Sequence, residues 1–111
     1  MLNQGLVSKS SSPWVFSVVL VKKKWGEYRF CVNYRRLNAV TKGDSYPLLR
    51  ISDILTQTGN SSWFSSLDLL SAYWQVPLRA EDRPKTAFIS NDGSYQFNRM
   101  AMGLKNSGAT F

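Results

Sequence analysis

The sequence has no histidine and a single cysteine, Cys31, in 111 residues. Without histidine the chain cannot build a His-dependent nucleophile triad, an imidazole-ligated metal site or imidazole acid–base chemistry. One cysteine excludes an internal disulfide and a cysteine-based zinc site, and it suits a reducing compartment. Acids are scarce as well: seven, against fourteen Lys and Arg. Long apolar runs are missing. The longest, WVFSVVLV at 14–21, stops at Lys22, well short of the ~20 residues that cross a bilayer. The start, MLNQGLVSKSSS, has no basic stretch ahead of an apolar core, so it is no secretory signal, and the expectation is an intracellular protein without a membrane partner. Chemistry must then rest on carboxylates, Lys, Arg, Tyr, hydroxyls or a hard metal ion held by oxygen.

What is present is basic and apolar. A formal charge of +7 makes a polyanion the first partner to consider, nucleic acid above all, against the plainer alternative of a basic soluble surface. A hydrophobic content of 43% is enough for one globular domain with a modest core. Residues 1–13 are polar and serine-rich and are expected to be an irregular lead-in. Residues 14–23 predict a well-buried strand, KKWGEY a turn centred on Gly26, and YRFCV a returning strand. NYRRLNAVTKGDSYP is expected to be a polar connection. Leu48, Ile51, Ile54 and Leu55 recur at helical spacing, which predicts a helix over 49–58 stopped by Gly59. WFSSLDL then predicts a strand, LSAYWQ a helical turn, and KTAFISNDGSYQFNRM a hairpin around Asn91, Asp92 and Gly93. The last residues, GATF, carry no helix-stop signal and read as a helix cut short.

One residue conflicts with its surroundings. Asp68, in FSSLDLLSAYWQVPL, stands among Leu67, Leu69, Leu70, Tyr73 and Trp74, and an unpaired buried carboxylate is costly. At the end of a strand it could cap the following helical turn through backbone N–H groups. It could also be a metal ligand aimed at a cleft, but Mg²⁺ chemistry on phosphates calls for further carboxylates, and no other acid lies in an apolar strand context. Lys22 to Lys24 with Arg29 could grip a phosphate, or simply form a solvated hairpin end. Tyr73 and Trp74 read first as core, though an aromatic five residues after Asp68 could also form the floor of a substrate pocket.

Five blocks taken together, SPWVFSVVLVKKKWGEYRFCVNYRRLN, SYPLLRISDIL, WFSSLDLLSAYWQVPL, KTAFISNDGSYQFN and MGLKNSGATF, resemble in order and spacing the reverse transcriptase of gypsy-type long-terminal-repeat retrotransposons. The resemblance implies an α+β fold, a partial right-hand polymerase with the fingers and the first part of the palm, over residues 14–111. It implies an RNA-directed DNA polymerase that transfers nucleotides to a primer 3′-hydroxyl with two Mg²⁺ ions. Asp68 would be the first of three catalytic carboxylates, with the Leu69 carbonyl assisting at the metal. Lys23 and Arg29 would meet the incoming triphosphate, Ser71 and Ala72 would offer it backbone N–H groups, and Tyr73 would lie beneath the sugar. Arg35, Asn38 and Gly103 would touch nucleic acid. The implied partners are an RNA or DNA template-primer, deoxynucleoside triphosphates and the remainder of a pol polyprotein. The implied location is the cytoplasm, virus-like particles or the nucleus.

The sequence also departs from the family. Its other two catalytic carboxylates belong to a Tyr-x-Asp-Asp hairpin, a motif this chain does not contain. Asn33 stands in place of an Asp; Ala101, Met102 and Gly108 in place of Pro, Phe and Pro; Phe16 and Ser17 in place of Ser and Pro. Whether the chain is an enzyme at all is therefore open. The rival reading is a non-catalytic relic of a decayed element that at most binds nucleic acid weakly.

Overall fold

The computed structural model of the chain describes residues 1–47 and 49–111. Its centre is a five-stranded sheet built from β1 (Val7–Lys9), β2 (Phe16–Lys22), β3 (Tyr28–Val32), β4 (Phe88–Ser90) and β5 (Gly93–Phe97) in the order β1-β5-β4-β2-β3. Both expected hairpins form. β2 and β3 pair antiparallel with Val21 opposite Arg29, and Gly26 takes the left-handed conformation (φ +86°) that the turn demands. β4 and β5 are joined by the two-residue loop Asn91–Asp92, with Ser90 opposite Gly93. β2 lies parallel to β4, Phe16 beside Phe88, and this one pairing unites the two hairpins.

Four expectations are corrected. The serine-rich start is not wholly irregular. Val7–Lys9 adds to the sheet edge against β5, and Val7 is buried, because the edge of β5 offers free backbone groups that a polar segment can satisfy as well as an apolar one. β2 is not a well-buried strand: Phe16 is buried, but Val19, Leu20 and Val21 are exposed. The connection after β3 contains a helix, α1 (Arg35–Val40), held down by the buried Leu37. Finally, WFSSLDL forms no strand. Residues 63–69 carry no regular structure and are exposed, with Trp63 at 94% and Leu67 at 90%. A strand needs a neighbour to complete its hydrogen bonds, and none of the described strands lies alongside this segment.

The expected helix is present as α2 (Ile51–Thr58), with Gly59 at its C-cap. Leu48, the first residue of its apolar spacing, lies outside the described residues. α2 is amphipathic, yet Ile51, Ile54 and Leu55 all face solvent. The radius of gyration is 17.1 Å, against about 13 Å for a compact domain of this length. The accessible surface is 9092 Å², against roughly 6,200 Å² for a folded monomer of this mass. Residues 44–47 and 49–70 thus form an arm that the sheet body does not cover. None of the described helices is long and apolar enough to cross a membrane.

The body is held by an aromatic core. Phe88 packs edge-on against Phe30 (centroids 5.4 Å apart) and lies 5.3 Å from Phe97. Phe16 meets Tyr34 edge-on at 5.3 Å, and Val7, Val32, Leu37 and Ala101 complete the cluster. Tyr34, 2% exposed, donates its hydroxyl hydrogen to the Thr86 carbonyl at 2.8 Å. The Thr86 hydroxyl accepts the Phe97 N–H at 3.0 Å. Burial holds the Tyr34 phenol well above its ordinary value of 10.0. A raised folded value means this stabilising contribution is complete below the unfolded-state value of about 10 and is lost as pH climbs beyond it. Tyr34→Phe is expected to cost about 1–2 kcal/mol at neutral pH through the orphaned Thr86 carbonyl. It should also flatten the loss of stability above pH ~10, where only the unfolded phenol ionises. Thermal melts of both proteins across alkaline pH check this.

Candidate nucleic-acid interface

The face of β2 that carries the buried Phe16 continues past the end of β4 through Val18 and Leu20, beside Phe30 of β3. Val18, Leu20, Phe30 and Ile89 form the floor of an open groove of about 1120 Å³, with Ser17, Asn33, Arg35, Arg36, Ser90 and Asn91 at its rim. The turn from β3 into α1 puts both arginines there. Arg35 is oriented rather than loose: its Nε donates to the Asn33 Oδ1 at 3.0 Å, and its backbone N–H shares that acceptor at 3.3 Å. A neutral amide fixes the guanidinium without cancelling its charge, which an Asp at position 33 would do. An apolar floor for bases and sugars beside an uncancelled cation for phosphates suits a nucleic-acid strand.

At the far end of the β2–β3 hairpin Lys23 and Arg29 are both exposed. The strand register sets Arg29 opposite Val21 and Lys22 opposite Tyr28, so Lys22 lies on the other face from Arg29. Lys23 contacts Glu27 at 3.4 Å across the turn, an exposed pair of little energetic weight that a polyanion could replace.

Asp68 is solvent-exposed on the arm. It does not cap the 3-10 turn that follows, Ala72–Gln75, whose N-cap is Ser71 and which has no side-chain cap bond. Ser71 adopts the left-handed conformation (φ 49°, ψ 48°), a strained state for a residue other than glycine, and thereby turns the chain sharply between Asp68 and Tyr73. Tyr73 is half-buried; its ring meets Phe111 edge-on at 5.9 Å. A Cβ on Gly108 would stand 3.7 Å from its hydroxyl, in ordinary van der Waals contact. Asn38 is committed internally, since both ends of its amide bond to the backbone of the loop containing Gly103. The structure therefore separates the expected site residues into four places: the groove with Arg35, the hairpin tip with Lys23 and Arg29, the contact of Asn38 with Gly103, and the arm root with Asp68, Leu69, Ser71, Ala72 and Tyr73. Sequence reading missed Arg36 and the β4 contribution, Ile89 and Ser90. Arg36 had its place next to Arg35 as a signal, whereas Ile89 and Ser90 join through the sheet order, which no spacing along the chain reveals.

Asp68 and the Leu69 carbonyl offer oxygen to a cation, but among the described residues no group of three or more Asp, Glu, Cys or His side chains could hold one. Mg²⁺ bound for phosphate chemistry asks for more than that. The residues present do not compose a Mg²⁺ site, and no step through the ion follows from them.

Residues 21–111 match the family model described as reverse transcriptase (RNA-dependent DNA polymerase). The chain is 39% identical, over its whole length, to the retrovirus-related Pol polyprotein from transposon opus of Drosophila melanogaster, of which it spans 12%. Transposons 297, gypsy and 412 of the same fly supply similar Pol polyproteins. An RNA-directed DNA polymerase homolog of Oenothera berteroana is 42% identical over 75% of this chain and 58% of its own. Among solved structures, a foamy viral protease-reverse transcriptase in complex with double-stranded DNA superposes with a TM-score of 0.84 over 99% of this chain and 19% of that one, at 24% identity. The chain belongs to the reverse transcriptase family, and its α+β fold is a part of that polymerase fold.

If the groove reads phosphates through Arg35, charge at position 33 controls it. Asn33→Asp should weaken binding of a single-stranded oligonucleotide at low salt. It should also reduce the steepness of log K against log salt by up to about 0.7, the share of one neutralised phosphate. Arg35→Gln should do the same. Fluorescence anisotropy across a salt series measures both.

Proposed function

We propose that this chain serves as the template-gripping and nucleotide-facing part of an RNA-directed DNA polymerase, acting inside the cell as one portion of a Pol polyprotein. The observation that carries the reading is the groove: an apolar floor rimmed by Arg35 and Arg36, on a chain whose family polymerises DNA. The template strand lies along it, its phosphates near Arg35 and its bases toward Val18, Leu20 and Phe30. Lys23 and Arg29 at the hairpin tip reach for the triphosphate of an incoming deoxynucleotide. Asp68, with the Leu69 carbonyl, would contribute one ligand to a Mg²⁺ site completed by carboxylates from elsewhere in the polyprotein. Metal held there would supply charge neutralisation for phosphoryl transfer. The N–H groups of Ser71 and Ala72 face the phosphates, and Tyr73 lies under the sugar, where a ribose 2′-hydroxyl collides with its ring.

The 111-residue chain is expected to bind a template-primer weakly and without sequence preference, with affinity falling steeply as salt rises, and to give no primer extension with Mg²⁺ and deoxynucleotides. Gel-based extension assays beside anisotropy test both halves. Template-dependent synthesis would overturn the division of the metal site; absence of binding at low salt would favour the relic.

The role of Tyr73 is tested with this segment placed in a complete, active polymerase. Tyr73→Val should raise ribonucleotide use relative to deoxynucleotide use, because the discrimination is a clash and removing bulk relaxes it. If Tyr73 only packs against Phe111, the change costs about 1–2 kcal/mol of stability and impairs both substrates alike. Steady-state kinetics with matched nucleotides, beside a thermal melt, separates the two.

A further inference from the structure

The arm that carries Asp68 has two roots, and they are built differently. At its C-terminal root the backbone does the work. Pro77 and Arg99 form a β-bridge, the Met100 N–H donates to the Val76 carbonyl at 2.8 Å, and the Leu78 N–H donates to the Asn98 carbonyl at 2.9 Å. At its N-terminal root two asparagine side chains take that place. Asn38, on α1, donates from Nδ2 to the Gly103 carbonyl at 2.8 Å and accepts the Lys105 N–H at 2.9 Å. Asn106, facing the other way, donates from Nδ2 to the Lys42 carbonyl at 2.9 Å and accepts the Asp44 N–H at 2.9 Å. Each amide thus bonds the carbonyl of one residue and the N–H of the residue two further on, as a neighbouring strand's peptide group would. Exchanging oxygen and nitrogen in either amide would set acceptor against acceptor, so each orientation is fixed by its partners. The Lys105 ammonium adds a bond to the Thr41 carbonyl at 3.1 Å, and its Cε would stand 3.4 Å from a Cβ at Gly43.

We propose that Asn38 and Asn106 are positioning residues, a reciprocal amide clasp that holds the root of the Asp68 arm in register with the Gly103 loop. The loop is a fixed reference. Gly103 has φ +89°, and a Cβ there would lie 3.8 Å from the Val32 carbonyl and 3.9 Å from the Tyr34 ring, at the edge of the aromatic core. Through the clasp, the segment leading to Asp68 is tied to the same core that carries Arg35. Asn38 therefore acts on nucleic acid through the loop and the arm, its own amide being engaged at both ends. This functional half rests on the proposed polymerase role; the clasp itself does not.

Hydrogen exchange by NMR on the 111-residue chain tests the clasp. In the unaltered protein the amides of Asp44 and Lys105 should be protected. Asn38→Ala and Asn106→Ala should each speed exchange at both amides by about 10-fold or more, as expected for loss of a cooperative local unit. The double variant should be no faster than either single one, since each amide is useless without the other. Asn38→Leu, which keeps volume and removes both bonds, should behave as Asn38→Ala does, and it replaces that variant should the alanine protein fail to fold. Oligonucleotide affinity should fall by a similar factor, about 3- to 10-fold, in both single variants and the double one, with the salt slope unchanged because no phosphate contact is touched. Free exchange at Asp44 or Lys105 in the unaltered protein overturns the clasp. So does a pattern in which each substitution frees only its own partner and the effects add. If Asn38→Ala weakens oligonucleotide binding while Asn106→Ala does not, Asn38 touches the nucleic acid directly and the positioning role is wrong. If the unaltered chain binds no oligonucleotide at low salt, the polymerase reading falls, and the exchange data alone decide the clasp.

Discussion

The body of this protein depends on one junction. The parallel pairing of β2 with β4 sets Phe16 beside Phe88, and the buried Tyr34, its ring edge-on to Phe16, bonds the Thr86 carbonyl at the entry to β4. Without it the β2–β3 and β4–β5 hairpins are two local structures, each too small to bury a core alone. Joining residues more than fifty positions apart costs chain entropy, and only aromatic burial around Phe88 is large enough to offset it. The phenol must stay neutral to remain there, so the junction couples fold and pH through a single group.

The same junction creates the groove. Because β4 lies next to β2, Ile89 and Ser90 join Val18, Leu20 and Phe30 in lining the groove, and the tight turn after β3 carries Arg35 and Arg36 to its rim. Charge is divided accordingly. Residues 44–70 hold one base, Arg50, against Asp44, Asp53 and Asp68, while the body holds the remaining bases. A basic groove and an acidic arm are the separation a polymerase of this family would use, cations toward the nucleic-acid backbone and a carboxylate toward the metal. The arm keeps Trp63, Leu67 and Leu70 in water, surface that in a longer protein would be expected to meet other parts of it.

Much of this was legible in the residues. Local chemistry settled both hairpins, since Gly26 and the Asn91–Asp92–Gly93 turn force reversals between strand-forming runs whatever lies around them. The spacing of Ile51, Ile54 and Leu55 marked α2 for the same reason: a period along the chain is a local property. The five blocks in order carried the family, and the absence of histidine confined the chemistry to carboxylates and bases.

Tertiary structure alone decided the rest. Whether FSSLDL becomes a strand depends on a neighbour to pair with, and composition cannot supply one. Burial of β2 was over-read because an apolar run reports what a segment could bury, whereas exposure depends on what arrives to cover it. Val7–Lys9 became a strand because β5 offered an edge. Asn38, Asn106 and Tyr34 look alike in sequence to any polar residue in a loop or a hydrophobe beside one. Their roles exist only because folding brings the Gly103 loop, the 42–44 segment and Thr86 within hydrogen-bond distance. The sequence by itself determined the turns, the helical period and the charge. Which groups meet across long loops was determined by packing, because a contact between distant residues leaves no local pattern to read.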